Sequence, residues 1–383
     1  MKPKLIRITT VPVSLKILLK DQLRFINQYF EVIGVSSKGT ELDDVKETEG
    51  IRTIELEMSR EITPLKDIVS LVKMTILLMK EKPDIVHTHT PKAGIVGMLA
   101  AWIARVPHRL HTVAGLPVME AKGKKKTLLL WIEKLTYACA THVYPNSHGL
   151  EKYILDHRLT QANKLKVIGH GSSNGIDTDY FDKTNDVKKE ADATEEKYSL
   201  KNDFVFCFVG RVVKDKGINE LMHAFEQLST NYAQVKLLIV GAFEKELDPI
   251  SEKADIILQT NKQILHVGFQ SDIRPYLAVS DCFVLPTYRE GFPNVVLQAC
   301  SMGLPAIVTD INGCNEIISN QKNGLLVEPK NENALLFAVE AFLKENTLAK
   351  KLSSNSRKDI IAKYDSKQFF KFLLEEYNKV LND

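Results

Sequence analysis

No stretch of the 383 residues approaches the roughly 18 consecutive apolar positions that a membrane-spanning helix needs. The amino-terminal "MKPKLIRITTVPV" is basic but lacks the apolar run of about 7–15 residues and the small-residue cleavage site of a secretory signal, so no such signal is expected. Cysteine is scarce. Cys139, Cys207, Cys282, Cys300 and Cys314 show no paired spacing and sit in apolar or helical contexts, which argues against a disulfide framework and reads as reduced thiols of a cytoplasmic protein. Internal repeats and low-complexity tracts are missing, and no Asp-x-Asp of the kind that bridges a metal to a diphosphate stands at the end of a strand-like run. Net charge is also small, at +3, but it is unevenly spread. Residues 1–170 carry 26 Lys/Arg against 17 Asp/Glu (+9), and residues 171–383 carry 25 against 31 (−6). The excess gathers after residue 90 and points to an anionic surface or substrate for that half.

The chain is long enough for two or three domains, each with its own core. Its 44% apolar and 26% charged residues are those of a globular protein. Short apolar, β-branched runs ("LIRITT", "FEVIGVS", "IRTIELEM", "DIVHTHT", "HRLHTVA", "HVYPNS", "KVIGHG") alternate with helical patterns such as 64–82 and 91–105. Such alternation predicts a doubly wound parallel sheet. A polar stretch, "DKTNDVKKEADATEEKYSLKND" (182–203), then reads as a connection. The pattern restarts with "FVFCFVGR", helix 217–229, "VKLLIVGA", helix 248–260, "ILHVGF", "CFVLPT", helix 293–302, "PAIVTD" and "GLLVEP", and closes with helices over 332–344, 347–363 and 366–381. The fold class predicted is α/β with two Rossmann-like domains. Ligands bind beyond the strand carboxyl ends in such sheets, so both sets of ends are expected at one crevice.

Two segments carry chemistry. In "FVGRVVKDKGINEL" (208–221), Gly210 and Gly217 permit tight turns, and Arg211 and Lys216 are held in the loop at a helix mouth, an arrangement suited to a diphosphate. In "TYREGFPNVVLQACSMGLP" (287–305), Pro293 suits a first helical position, so a helix amino terminus adds partial positive charge there. Glu290 precedes that helix and Gln298 lies inside it, roughly 8–10 Å apart along the axis at about 1.5 Å per residue. That separation fits two hydroxyl-bearing groups flanking a diphosphate. Gly291 leaves room for ligand against the backbone.

The tandem layout, with "GRVVKDKG", "PTYREGFPNVVLQA", "GLPAIVTDINGCNEII" and "NGLLVEP", resembles the retaining GT-B glycosyltransferases of family four, two Rossmann-like domains facing a central cleft. Within that family the chain is most similar to bacterial enzymes of capsule, O-antigen and other surface-polysaccharide assembly. The resemblance implies an acceptor-binding domain over 1–180, a nucleotide-sugar domain over 181–363 and a carboxyl-terminal helix over 364–383 that crosses back to the first domain. It implies that Arg211 and Lys216 neutralise the donor diphosphate and that Glu290 contacts the donor sugar. The backbone of Gly291, Phe292, Pro293 and Asn294 would meet sugar and phosphate. Gln298 would hold the ribose where the family places a second glutamate. "HVGFQSD" (266–272), with Gly268 and Phe269, would line the base pocket, and Gly210 would lie against the donor. "HRLHTVAGL" resembles the strand that ends in a histidine facing the donor sugar, here His111.

On the acceptor side, Thr10, His89 and Lys92 are the candidates. His87 and His89 share a strand face and could be metal ligands, but no Cys, Asp or Glu at ligand spacing follows closely, so a cleft wall is preferred. Where many family members have a glycine pair after the first strand, this chain has Thr9, Thr10, Val11 and Pro12. "EAKGKKKTLLLWIEKLTYACA" (120–140) sets Lys122, Lys124, Lys125 and Lys126 before an apolar helix with Trp131, which fits peripheral docking on an anionic membrane and equally a core helix behind a lysine-rich loop. The expectation is a metal-independent, cofactor-free retaining hexosyl- or N-acetylhexosaminyltransferase. It would use a nucleoside diphosphate sugar, a UDP-sugar by preference, and a lipid-linked or growing glycan acceptor, with no nucleic acid as partner. The rival readings are a nucleotide-sugar 2-epimerase of the same fold and a non-catalytic nucleotide-sugar-binding subunit.

Overall fold

The computed structural model of the chain describes every residue except 1, 60, 62, 120, 245, 247, 346 and 383. It forms two compact units: Met1–Gly175 with Ser366–Asp383, and Ile176–Asp365.

In the first unit, strands β1 (Lys4–Ile8), β2 (Glu31–Ser36), β3 (Arg52–Glu55), β4 (Ile85–His89), β5 (His108–Val113) and β6 (His142–Pro145) form a parallel sheet of order β3-β2-β1-β4-β5-β6. Its helices are α1 (Pro12–Leu18), α2 (Gln22–Asn27), α3 (Glu41–Glu49), α4 (Pro64–Glu81), α5 (Pro91–Ile103), α6 (Gly123–Cys139) and α7 (His148–Asp156). In the second unit, α8 (Asn185–Tyr198), β7 (Phe204–Val209), α9 (Ile218–Asn231), β8 (Val235–Val240), α10 (Glu252–Thr260), β9 (Ile264–Gly268), α11 (Arg274–Ala278) and β10 (Cys282–Leu285) come first. They are followed by α12 (Asn294–Ser301), β11 (Ala306–Thr309), α13 (Cys314–Ile317), β12 (Gly324–Val327), α14 (Glu332–Lys344) and α15 (Leu348–Tyr364). The second sheet, also parallel, has the order β12-β11-β10-β7-β8-β9. Each sheet therefore grows outward in both directions from its first strand and reverses between the first and fourth, β1/β4 and β7/β10. Those reversal points are where open α/β sheets bind ligands.

Runs such as "FVFCFV" are buried from Val205 onward because helices cover both faces of a parallel strand. All five cysteines are free and buried. The last helix, α16 (Ser366–Asn382), packs on the first unit: Tyr377 sits edge-on to Phe30, and Phe370 meets Phe25.

The structure differs from the sequence expectation at several points. The stretch 182–203 is not a mere connection, because it contains α8. Thr184 caps this helix through its side chain, accepting from Val187 N, and Val187, Ala191 and Thr194 form a narrow buried stripe. Three such positions among many charges carry little periodic signal. "KVIGHG" is not a strand. After one bridge between Leu165 and Val143, the left-handed backbone of Gly169, Gly171 and Ser172 turns the chain away. The first unit ends at Gly175, because the segment beyond is tied to α15: Ile176 N donates to Tyr364 O, and Arg357 donates to Thr178 O. Pro293 is the residue before α12 rather than its first.

Candidate functional site

The second sheet's reversal point brings both sequence motifs together. The loop after β7 carries Gly210 and Arg211, and the turn Lys214–Lys216 leads through Gly217 into α9. Gly217 has φ +71°, and a Cβ there would lie 2.0 Å from Pro286 O. Only glycine lets this loop rest against the end of β10. The facing loop, residues 286–293, is fastened to it. Lys216 Nζ stands 2.6 Å from Glu290 Oε1, and both side chains are only 16% exposed. Tyr288 N donates to Asp215 O at 2.8 Å, the Tyr288 hydroxyl donates to Glu220 at 2.6 Å, and Arg289 pairs with Asp215 at 2.9 Å. From the far side Asn312 Nδ2 donates to Glu290 O at 3.0 Å and Gly291 O at 3.1 Å.

Arg211 pairs with Glu244 at 2.7 Å. Partial burial alone would lower its pKa, but Glu244, with Asp215 and Glu290 nearby, raises it, so the guanidinium stays charged. α12 begins after Pro293 with no side-chain cap, so its amino terminus can meet an anion. Asn294 is exposed there and Gln298, about one turn further in, is half-buried. Phe292 is different: its ring is buried against Tyr364, 5.4 Å between centroids, so only its backbone can meet a ligand. Gly268, with φ +74°, ends β9, and Phe269 beside it is largely exposed. His266 Nε2 lies 2.8 Å from Gly241 O, and its ring packs edge-on to Phe243. The second unit thus groups two cations, a carboxylate, an amide and an uncapped helix end. Such a set has the chemistry to hold a diphosphate and to orient hydroxyl groups beside it.

In the first unit His111 is buried, with Nδ1 2.8 Å from Thr88 Oγ1. Burial pushes its pKa down to about 4, so the ring is neutral at ordinary pH. Gly94 makes room for it: a Cβ there would lie 2.5 Å from His111 Cε1.

Thr10 and Thr90 meet across the β1/β4 reversal, their hydroxyls 2.7 Å apart, and Ala93 N donates to Thr10 Oγ1. Thr90 has φ +73° and ψ 147°, a region that favours glycine. Lys92 pairs with Asp67 at 2.6 Å. Thr10, Thr90 and Lys92 line one cavity of about 670 Å³ among α4, α5 and α6.

His89 does not join them. It lies on the other side of the sheet, with Nε2 2.7 Å from Arg7 Nη2, while His87 meets Tyr377 and Thr112. Burial holds both histidines well below the usual pKa, with further lowering by Arg7. The wall expected from "HTH" therefore faces α16 and α2.

Asp215, Glu244, Tyr288, Thr90 and Asn312 shape these sites and escaped the sequence reading. Asp215, Tyr288 and Asn312 lie inside the motifs themselves and Thr90 ends a strand-like run, but their roles depend on partners distant in sequence. Among the described residues no group of three His, Cys, Asp or Glu could hold a metal ion, and no helix is long and apolar enough to cross a membrane.

Residues 190–359 match the family described as "Glycosyl transferases group 1", and residues 30–171 match "Glycosyl transferase 4-like domain". The chain is 35% identical over 383 residues to the capsular polysaccharide biosynthesis glycosyltransferase CapM of Staphylococcus aureus, covering 99% of this chain and 98% of the relative. It is 32% identical over 307 residues to an Escherichia coli UDP-Gal:α-D-GlcNAc-diphosphoundecaprenol α-1,3-galactosyltransferase, covering 79% of this chain and 77% of the relative. In fold it is similar to Anabaena Alr3699/HepE, solved in complex with UDP, at TM-score 0.80 and 19% identity over 99% of this chain and 100% of that one. With both family domains in order and a 35%-identical relative along almost its whole length, the chain belongs to the group 1 glycosyltransferases and is a glycosyltransferase of the GT-B fold.

Proposed function

We propose that the protein is a retaining, metal-independent transferase that moves a hexosyl or N-acetylhexosaminyl group from a UDP-sugar to a lipid-linked or growing glycan acceptor in surface-polysaccharide assembly. The observation that carries the donor site is the half-buried Lys216–Glu290 pair at the mouth of α12, with Arg211 on the same loop as Lys216. Lys216, Arg211 released from Glu244, and the α12 amino terminus stabilise charge on the leaving diphosphate, the largest electrostatic demand of the reaction. Glu290 and Gln298 hold hydroxyls of the sugar and the ribose. The departing phosphate takes the acceptor proton, so no protein nucleophile is required. Two named relatives, one of capsule biosynthesis and one acting on a diphosphoundecaprenol-linked sugar, support the pathway and acceptor class. Peripheral membrane attachment through the lysines of 122–126 is part of the same reading, with Lys122, Lys124 and Lys125 exposed beside Leu128 and Trp131.

The test is release of free UDP from UDP-sugars with membrane extract as acceptor source, in excess EDTA. Release that depends on the acceptor and survives EDTA is the expected result. Acceptor-independent UDP release favours a 2-epimerase that lets its intermediate go. Binding of UDP-sugar with no turnover favours a non-catalytic subunit.

A further inference from the structure

α4 carries its apolar residues on the wrong side for a helix that merely covers a sheet. Of its 18 residues Ser70, Met74 and Leu78 are buried. Leu65, Ile68, Val69, Val72, Ile76 and Met79 are each 53–81% exposed. A helix on a globular domain normally turns its apolar stripe to the core, and a contiguous apolar face left outside marks a binding surface. Ile68 belongs both to this face and to the wall of the cavity of about 670 Å³, so the two are continuous.

Inside, Leu71, Ile95, Val96, Leu99, Leu129 and Ile132 make the walls apolar. The volume is that of a site for a sizeable small molecule. The rim is cationic. Lys125 lines it, Lys122 just before α6 and Lys124 on its first turn stand exposed, and Lys92 is set at the start of α5. Of the two carboxyl groups among the lining residues, Asp67 pairs with Lys92 at 2.6 Å. The other lining acid, Glu133, is buried, and burial raises its pKa to about 7. The helices α5 and α6 both start at this rim, adding the positive ends of their dipoles.

We propose that this cavity binds the diphosphate and the first isoprenoid units of a polyprenyl-diphosphate-linked acceptor. The head sits among Lys92, Lys125 and the Thr10 and Thr90 hydroxyls. The branched chain lies against Ile95, Leu129 and Ile132 and leaves along α4 into the lipid phase. The inference rests on the transferase reading and names the acceptor class. A bilayer phospholipid would use the lysines and the α4 face but has no need of the cavity.

Farnesyl diphosphate is the probe, titrated calorimetrically into the full chain with UDP present in saturating amount, so that the donor diphosphate site is filled. Saturable binding is expected. Lys125→Glu and Leu129→Trp should each weaken it by about tenfold or more, a readily measured change. Farnesol should bind at least as much more weakly, and inorganic diphosphate should not bind while UDP is present. Leu129→Trp fills the cavity; Lys125 is exposed, so its variant gives a fold-safe second reading. The proposal is overturned if UDP abolishes farnesyl diphosphate binding, or if neither variant weakens it. It is equally overturned if the variants reduce flotation on anionic phosphatidylglycerol vesicles while farnesyl diphosphate affinity stays unchanged. Failure of UDP itself to bind would instead sink the donor-site reading, and the same titrations without UDP would still decide the cavity.

Discussion

Glu133→Gln should make the first unit more stable in alkaline solution and leave it almost unchanged in acid. Glu133 is 6% exposed on α6, and burial raises its pKa from 4.5 to about 7. The nearby Tyr137 hydroxyl favours the ionised form but makes no hydrogen bond of ordinary geometry, so it offsets little of the effect of burial. Between pH 4.5 and 7 the folded protein therefore keeps a proton that the unfolded chain has lost. The native state binds more protons, so stability falls as pH rises through this window and levels off above it. The shift, 7 minus 4.5, is about 2.5 units, or about 3 kcal/mol at 1.36 kcal/mol per unit.

Glutamine has the shape of the protonated acid and nothing to ionise, so the variant escapes the loss. The assay is urea unfolding at pH 5 and pH 8.5, followed by circular dichroism and by tryptophan emission. Both tryptophans, Trp102 and Trp131, lie in the first unit, so emission reports on the relevant half. With a urea slope of about 2 kcal/mol/M, the variant's midpoint should exceed that of the wild type by about 1.5 M at pH 8.5 and by only about 0.4 M at pH 5, where the unfolded chain has just begun to lose the proton. Equal differences at the two pH values would refute the reasoning, because they would mean that the folded carboxyl ionises as freely as the unfolded one.

Lys216→Ala and Arg211→Ala should each lower turnover by about two to three orders of magnitude, with circular dichroism unchanged, as for loss of one preorganised charge-stabilising group. Near-normal turnover in both would overturn the site assignment. Gln298→Glu should keep activity and tighten UDP-sugar binding by no more than about tenfold, because a charged acceptor gains about 1 kcal/mol over an amide. Gln298→Ala should weaken donor binding more than it slows the chemical step, a split that KM and single-turnover rates resolve. Gly217→Ala should destabilise the second unit by at least about 2 kcal/mol in urea unfolding, because it combines a left-handed backbone with a collision against Pro286 O. A wild-type midpoint would show that the β7–α9 loop can move aside.

The sequence determined what is local or periodic. Alternating strand and helix patterns are enough to specify two parallel sheets, because a strand buried on both faces must be apolar throughout and its crossover helix must be amphipathic. The helix over 332–344 begins and ends where its pattern does. Gly217, Lys216 and Glu290 were legible because loop chemistry beside a strand end is written in a few adjacent residues. The α8 helix was not legible, since three apolar positions among charges bury little and its stability comes from what it packs against.

Tertiary structure alone decided which groups meet. Nothing in "HTH" says that His87 will bond Tyr377, 290 positions away, or that His89 will face Arg7 rather than the cavity that Thr10 and Lys92 line. Nothing in "TDING" says that Asn312 will hold the carbonyls of Glu290 and Gly291. On α4 the sequence supplies apolar residues around most of the helix, and only the packing of its neighbours settles which of them face outward. These outcomes depend on contacts between segments far apart in the chain, whose geometry is fixed only once both sheets have closed.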